Sequence, residues 1–303
     1  MIFRNNNKIA NIYRGTLPIS NVYRGGILVY TGEKPITYDG LTFEALEPST
    51  IQYVPSTVST AQYSYDTVNW ETADNVTLNL NTGDKVYFKG TITGNQTFLK
   101  FAHFTMTGKI SASGSIMSLQ AGNPQDTTLN YKSEFYRMFD SCTSLVTAPA
   151  LPATTLIQQC YQFMFQGCTS LVTAPALPAT TLIDQCYKYM FSNCTSLKNA
   201  PELPATKIST NCYQHMFYNC TSLVTAPELP AITFSSGCYL NMFNGCSNLK
   251  YIKAMFTETP SSTYTGNWVN GVASTGTFVK NKYATWNLTG VDGIPEGWTV
   301  ETA

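Results

Sequence analysis

Apolar and polar residues alternate over residues 34–122, which is the pattern of short strands. Leu41, Phe43 and Ala45 alternate with polar neighbours, and the same period of two recurs on both sides of the turn at 81–84. Such alternation is typical of strands that bury one face, and a glycine-containing turn between two of them indicates a hairpin. We therefore expect a hairpin around 81–84 and a small antiparallel β-sandwich adaptor over residues 34–122.

Residues 1–33 contain a tandem of β-rich runs that each end in glycine. Tyr13 and Arg14 recur ten residues later as Tyr23 and Arg24. The tandem indicates two strands and two turns, and a segment of about 30 residues buries too little surface to fold alone. We therefore expect an anchoring segment, with these four residues as its candidate contacts, that docks on its own domain, on sister chains or on a larger assembly.

Beyond residue 122 the chain repeats every 26 residues. Met-Phe pairs, leucines in phase with Leu145 and two rows of cysteines keep this interval; the cysteines are Cys142, Cys168, Cys194, Cys220 and Cys246, and Cys160, Cys186, Cys212 and Cys238. Five units at one constant period indicate stacked repeats of the leucine-rich class. We expect a five-unit leucine-rich-repeat solenoid over residues 123–253, in a mainly β fold with short helices.

Each unit combines an apolar cluster with a proline-containing stretch. The apolar positions match one face of a short helix: Cys160, Tyr161, Met164, Phe165 and Cys168. Glycine or asparagine precedes the second cysteine, at Gly167, Asn193, Asn219 and Gly245, where a left-handed cap would favour them. The prolines that follow cannot donate ladder bonds, so the strands must be short.

Residues 254–303 leave this pattern and are rich in aromatic side chains. Trp268, Phe278, Trp286 and Trp298 are concentrated here. Because the end of a repeat stack exposes its apolar core, we expect this segment to be a C-terminal cap and the β-sandwich to cover the other end.

The motif MFxxCTSL resembles the repeat of the BspA-like leucine-rich-repeat family. The matching positions in one unit are Met190, Phe191, Cys194, Leu197, Ala200 and Pro204, although the unit here is longer than the family's. The opening NIYRG…NVYRGGILVY and the ending GIPEGWTV resemble virion surface, tail or fibre proteins of gut bacteriophages and prophages of Bacteroides-type hosts. The resemblance to the BspA-like family covers about 120 residues closely.

The resemblance implies a bacteriophage virion structural protein, assembled in the host cytoplasm, that projects its repeats for adhesion to the host surface. Its implied partners are other virion proteins, a host-surface glycan or protein, and further copies of itself. The N-terminus lacks the apolar run of a secretory signal, and no run is long enough to span a membrane, which fits that expectation. A bacterial cell-surface adhesin and a virion decoration without a receptor are the alternatives.

Charge argues against nucleic acid as a partner. Charged residues make up only 12% of the chain and the net charge is zero, so a basic binding surface is not expected. The 43% of hydrophobic residues is enough for a folded core.

The paired cysteines admit three interpretations. Buried apolar packing is favoured, because free cysteine behaves as a small hydrophobic residue; disulfides between stacked units and metal binding are the alternatives. Glu134 takes the place of Cys160 in the first unit, where we expect the core to be least enclosed. Neither a metal nor another cofactor is expected.

Catalysis has little support in the sequence. His103 is a lone strand residue, and His215 occupies a variable position that we expect to face solvent. Glu202 and Glu228 fall in register one unit apart and could form a carboxylate pair, as in a glycan-hydrolysing fibre, but solvated surface acids are the favoured interpretation. Both remain candidate binding residues of the repeat surface. We therefore predict that the protein is not an enzyme.

Binding is the favoured function for the in-phase variable positions. One row is Gln162, Lys188, Gln214 and Leu240, and the next is Phe163, Tyr189, His215 and Asn241. Aromatic and polar side chains in a row suit a saccharide or a protein surface, although a solvated face would look the same. Tyr63, Tyr65 and Trp70 could form a sugar platform in the β-segment, where a core role explains Trp70 equally well.

Overall fold

The computed structural model describes residues 38–97 and 99–303 with their side chains and, before residue 38, only the backbone of the assigned strands. It divides into two compact units, Met1–Tyr38 and Asp39–Ala303. The described strands of the first unit form antiparallel pairs: β1 (Ile2–Arg4) with β2 (Asn7–Ile9), β3 (Tyr13–Arg14) with β4 (Leu17–Pro18), and β5 (Asn21–Arg24) with β6 (Ile27–Thr31). The two tandem copies thus fall on β3 and β5. The side chains of Tyr13, Arg14, Tyr23 and Arg24 lie outside the described residues.

The second unit is mainly β, as the sequence predicts. Its strands are β7 (Thr42–Ala45), β8 (Ser49–Val54), β9 (Ser59–Ser64), β10 (Glu71–Thr72), β11 (Thr77–Leu80), β12 (Lys85–Ile92), β13 (His103–Thr107), β14 (Ile110–Ser113), β15 (Leu145–Thr147), β16 (Tyr251–Ala254), β17 (Thr277–Lys280) and β18 (Thr299–Thr302). The helical residues described are confined to a 3₁₀ turn at Ile116–Leu119 and to α1 at Ser262–Thr265.

Two sheets of the β-segment share an aromatic core. One has the order β10-β9-β12-β7-β14-β15 and the other β11-β8-β13. Phe43 of β7 and Phe88 of β12 contact Phe104 of β13, with ring centroids 5.0 and 5.1 Å apart. The predicted turn at 81–84 is present, because the Asp84 N–H donates to the Asn81 carbonyl. The predicted hairpin is wrong, since β11 pairs with β8 and β12 pairs with β7 and β9.

The predicted short helix in each repeat is also wrong. At Gln159, Phe163 and Gly167 the backbone φ is 62°, 60° and 71°, so every fourth residue is left-handed and an α-helix cannot continue. The same rhythm recurs in the next unit at Gln185, Tyr189 and Asn193. The unit is a chain of tight turns, and the left-handed position predicted before the second cysteine is confirmed.

Alternate backbone amides explain why turns replace a helix. The N–H of Met164 closes a turn onto the Tyr161 carbonyl, whereas the N–H of Phe165 donates at 2.9 Å to the carbonyl of Met190 in the next unit. This alternation runs through the whole segment, so half of its amides bond between units. The extended stretches pair through single parallel bridges such as Thr147 with Thr173, which confirms that these strands are very short.

Identical side chains from successive units stack on one another inside the repeats. One column of parallel rings comprises Phe104, Phe139, Phe165, Phe191, Phe217 and Phe243, with adjacent centroids 5.4 to 5.7 Å apart. A second comprises Phe135, Tyr161, Tyr187, Tyr213 and Tyr239. The first column begins on β13, so the core of the β-segment and the core of the repeats are continuous.

The stacking continues beyond the part of the sequence that shows it. The N–H groups of Asn241, Phe243 and Gly245 donate to carbonyls at Gly266, Trp268 and Asn270. Trp268 therefore occupies the place of the methionines, and β16, β17 and β18 form a parallel sheet in the same succession. The limits proposed for the adaptor, the repeats and the cap remain predictions. None of the described helices is long and apolar enough to cross a membrane.

Candidate functional site

Phe163, Tyr189 and His215 form one column on the flank of the repeats. The ring centroids of Phe163 and Tyr189 lie 4.7 Å apart and those of Tyr189 and His215 4.2 Å apart, with nearly parallel planes. The guanidinium of Arg137, at the same place in the first unit, lies 4.2 Å from the Phe163 centroid. We call these four residues the outer column. All four are half-buried, so His215, which was expected to face solvent, is only partly exposed.

The backbone holds every member of the outer column in the left-handed region. The φ angles are 55° at Arg137, 60° at Phe163, 58° at Tyr189 and 56° at His215, and Asn241 continues the series at 53°. This conformation is unfavourable for bulky side chains. Bonds between units hold it in place: the Phe163 N–H donates to the Lys188 carbonyl at 3.0 Å, and the His215 N–H donates to the Leu240 carbonyl at 2.8 Å.

The stacking decides which part of each ring a ligand can reach. Tyr189 lies between Phe163 and His215, and Phe163 lies between Arg137 and Tyr189, so both faces of each ring are in contact with a neighbour. A sugar that stacks on an aromatic ring needs a free face. A ligand could therefore contact Phe163 and Tyr189 only at the ring edges and could not stack on their faces.

The neighbouring row carries unpartnered amide groups. Gln162 is only 6% exposed, Lys188 and Gln214 are half-buried, and Leu240 stands at the fourth place. The Oε1 atoms of Gln162 and Gln214 are buried without a hydrogen-bond partner. Burying a polar atom without a partner costs free energy, and a ligand could relieve that cost only at an atom that it can approach.

The surroundings of His215 favour its neutral form. Burial, followed by the positive charge of Lys188, lowers the pKa of His215 to about 4. Burial also lowers the pKa of Lys188 from its ordinary value. The Nδ1 atom of His215 is buried without a partner. The imidazole is therefore an uncharged member of the stack near neutral pH.

Glu202 and Glu228 lie together on another part of the surface. Both line a pocket of about 520 Å³ whose other walls are Ala200, Pro201, Leu203, Pro204, Pro227 and Pro230. Glu228 forms an ion pair with Lys253 at 3.0 Å, so the two carboxylates have different electrostatic surroundings. The side chain of Glu228 is half-exposed, and this exposed pair contributes little to stability.

The cysteines are buried and carry free thiols at all nine positions. In the row that contains Cys168 each thiol donates to a phenylalanine carbonyl, from β13 for Cys142 and from the preceding unit for the others, as Cys168 Sγ does to Phe139 at 3.1 Å. Burial raises the pKa of the Cys168 thiol well above its ordinary value, which suppresses the reactive thiolate. The residues that the structure describes contain no group of three or more side chains placed to hold a metal ion.

Glu134 shows that the first unit is closed and not open. Its side chain is fully buried, contrary to the expected least-enclosed position, and Oε2 accepts from the N–H groups of Asn130 and Tyr131. Burial raises its pKa to about 6. The side chain of Gln96, which is 3% exposed, donates to the Glu134 carbonyl and accepts from the Ala102 N–H. Gln96 thereby caps the first unit from the β-segment.

The three aromatic residues of the β-segment do not form a flat platform. Tyr63 is buried and donates to Glu71, and Tyr65 packs edge-on against it at 5.7 Å between centroids. Trp70 is half-buried and not in the core, and the Lys89 ammonium lies 4.1 Å from its ring centroid.

A groove at the junction of the β-segment and the first two repeats was not predicted. It measures about 650 Å³ and is lined by Asn95, Gln96, Thr97, Lys132, Ser133, Tyr136, Gln159, Gln162 and Phe163. The sequence singled out Gln162 and Phe163, and the structure brings them to this groove. The sequence alone could not reveal Asn95 or Thr97 as neighbours of these residues, because both belong to a loop in a different segment.

No protein-family model, curated protein or solved structure matches the chain significantly. The functional proposal therefore rests on the residues themselves and on the resemblance of their motifs.

Proposed function

We propose that the chain is a non-enzymatic bacteriophage virion protein whose leucine-rich-repeat solenoid makes adhesive contact with the host surface. In this proposal residues 1–33 attach the protein to the particle, the β-sandwich joins that segment to the repeats, and the last segment closes the stack. The protein would assemble in the host cytoplasm as a homo-oligomer bound to other virion proteins. Its receptor would be a surface glycan or protein.

One observation carries the adhesive part of the proposal. The inner columns repeat nearly the same residue in each unit, whereas the outer column changes from Arg137 through Phe163 and Tyr189 to His215 while the backbone stays the same. Packing alone explains uniform columns. A surface with a fixed backbone and changing side chains is how stacked repeats present a binding face.

The solenoid part is supported by the hydrogen bonds between units. Each repeat donates in register to the next, and the order is kept from Phe135, which donates to Cys160, to Gly245, which donates to Asn270. Such a stack contacts only nearest neighbours and grows along one axis. The virion assignment is supported by the resemblance of the terminal motifs.

Two deletions test the proposal. The variant that lacks residues 1–33 should not be incorporated into particles. Removal of residues 133–253 should leave incorporation intact and reduce adsorption to the host. Immunoblots of purified particles and adsorption assays provide the measurements. Normal incorporation of the first variant would rule out the anchoring role, and normal adsorption of the second would rule out adhesion.

A structural decoration without a receptor is the second candidate, favoured by the stacked geometry of the outer column. The rings of Phe163, Tyr189 and His215 use their faces to contact one another, which stabilises the stack whether or not a ligand binds. Under this candidate, particles that lack the repeats would adsorb normally but lose resistance to heat or low ionic strength.

A further inference from the structure

The groove at the start of the repeats is lined by a residue with an unmet hydrogen bond. Gln162 is nine-tenths buried, lines the groove and has an Oε1 atom without a partner. Gln214 carries the same unpartnered atom two units further along, and it does not line this groove. Of these two glutamines, Gln162 is therefore the one that lines a space a ligand can fill.

The lining has the chemistry of a site for hydroxyl groups. Asn95, Gln159 and Gln162 are amides, each able to donate and to accept, and Thr97 and Ser133 add hydroxyls. Lys132 is the one charged residue among these described lining residues, so uncharged polar groups dominate. Sugar hydroxyls also donate and accept at the same atom, so this set matches a saccharide better than it matches a charged ligand or an apolar one.

Several of the polar groups are already held in position. Ser133 donates from its hydroxyl to Gln159 Oε1 at 3.2 Å, and Gln159 Nε2 donates to Gln185 at 3.0 Å. Asn95 Oδ1 accepts from the Lys132 N–H at 2.8 Å, which fixes the loop to the first repeat. Preorganised groups lose less entropy when a ligand binds.

The rings supply apolar walls. Tyr136 and Phe163 meet nearly at right angles, with centroids 5.7 Å apart, and the faces of Phe163 are occupied by Arg137 and Tyr189. The groove volume of about 650 Å³ lies within the range of roughly 300–1,000 Å³ that small-ligand sites occupy. The backbone of a peptide offers about one donor and one acceptor per residue. It would therefore form fewer hydrogen bonds with this polar lining than a saccharide of the same length.

We propose that this groove binds a short neutral oligosaccharide, with Gln162 Oε1 accepting a hydrogen bond from a sugar hydroxyl. The inference rests on the proposed adhesive function, since it names the ligand class and the place where adhesion occurs. It locates binding at the base of the repeats and not along the stacked faces of the outer column.

Isothermal titration calorimetry of the full-length protein with maltotriose, cellotriose and triacetylchitotriose tests the site. Gln162→Leu should weaken binding about tenfold, which corresponds to about 1.4 kcal/mol, while Gln214→Leu should leave it unchanged. Leucine already stands in this row at Leu240, so the fold accepts the substitution. Thermal unfolding by circular dichroism confirms that both variants are folded.

A second variant removes the aromatic ring of Phe163 from the groove while keeping the backbone conformation. Phe163→Asn copies Asn241, which holds the same left-handed conformation, and it should also weaken binding. Failure of all three saccharides to bind, or equal affinities for the Gln162→Leu and Gln214→Leu variants, would overturn the proposal. Normal adsorption of particles that carry Gln162→Leu would overturn this site and leave the proposed adhesive function standing. Loss of adsorption in a protein that binds none of the saccharides would overturn the saccharide proposal and indicate a protein receptor.

Discussion

The carboxylate of Asp292 accepts a hydrogen bond from the backbone N–H of Asn267, with 2.7 Å between the nitrogen and Oδ1. One unit earlier the equivalent N–H, that of Asn241, donates at 2.9 Å to the Gly266 carbonyl of the following segment. Asp292 thus supplies from a side chain the acceptor that a further repeat would supply from its backbone. Asp292 therefore caps the last of the tight turns, as Gln96 caps the first.

Loss of this terminal acceptor should destabilise the stack. We expect Asp292→Ala to lower the free energy of unfolding by about 0.5–1 kcal/mol, because the hydrogen bond is lost while water can still reach the exposed Asn267 amide. Asp292→Asn retains a side-chain oxygen and should cost less. Chemical denaturation followed by tryptophan fluorescence measures both, and equal losses in the two variants would contradict the capping role.

The two cysteine rows should differ in their contribution to stability. Cys168 and Cys160 are both fully buried, but the Cys168 thiol lies 3.1 Å from its carbonyl acceptor and the Cys160 thiol 4.0 Å from its nearest one. We expect Cys168→Ala to lower the free energy of unfolding by about 1–2 kcal/mol, through a small cavity and a lost hydrogen bond. Cys160→Ala should cost less.

Alkylation with iodoacetamide provides an independent measurement on the same cysteines. The folded protein should react slowly at every thiol, and unfolding in denaturant should expose all of them. Rapid labelling of Cys168 in the folded state, or an unchanged stability of Cys168→Ala with loss of binding, would contradict the packing role of this residue.

The repeat period was predictable from the sequence, but the backbone within a unit was not. Cys160, Met164 and Cys168 recur every four residues, and on an α-helix positions four apart drift by about 40°. Over nine residues that drift is too small to separate a helix from a chain of turns. The left-handed residues resolve the ambiguity, and only Gly and Asn among them signal that conformation in a sequence; Phe163 and Tyr189 do not.

The ends of the stack were predictable only in outline. A cap was expected because an open stack exposes its core, yet Gln96 and Asp292 act through single hydrogen bonds formed across long sequence separations. The 81–84 turn illustrates the same limit. Its local sequence predicts a turn correctly, but whether the flanking strands pair depends on the β8 and β7 partners that compete for them.

Glu134 should make stability depend on pH in the mildly acidic range. Its folded-state pKa of about 6 lies above the ordinary value of 4.5, so the folded protein holds the proton more tightly than the unfolded chain. The associated stabilisation is complete below about pH 4.5 and is lost as the pH rises through about 6. The shift corresponds to roughly 2 kcal/mol.

Glu134→Gln removes this dependence while keeping an oxygen for the Asn130 and Tyr131 amides. We expect the variant to be more stable than the wild type near neutral pH and to lose the slope between about pH 4.5 and about pH 6. Denaturant titrations at a series of pH values measure the slope. An unchanged slope in the variant would show that Glu134 is not the titrating group.

His215 should titrate far below an ordinary histidine. We expect its ring protons in nuclear magnetic resonance spectra to report a pKa of about 4, and assignment is simple because the chain has two histidines and His215→Asn removes one. The folded-state pKa lies below the ordinary 6.5, so the stabilisation is present above about pH 6.5 and is lost as the pH falls through about 4. Lys188→Gln should raise the pKa by removing a nearby charge, whereas Lys188→Arg should not. A pKa near 6.5 in the wild type would mean that His215 leaves the stack and faces solvent.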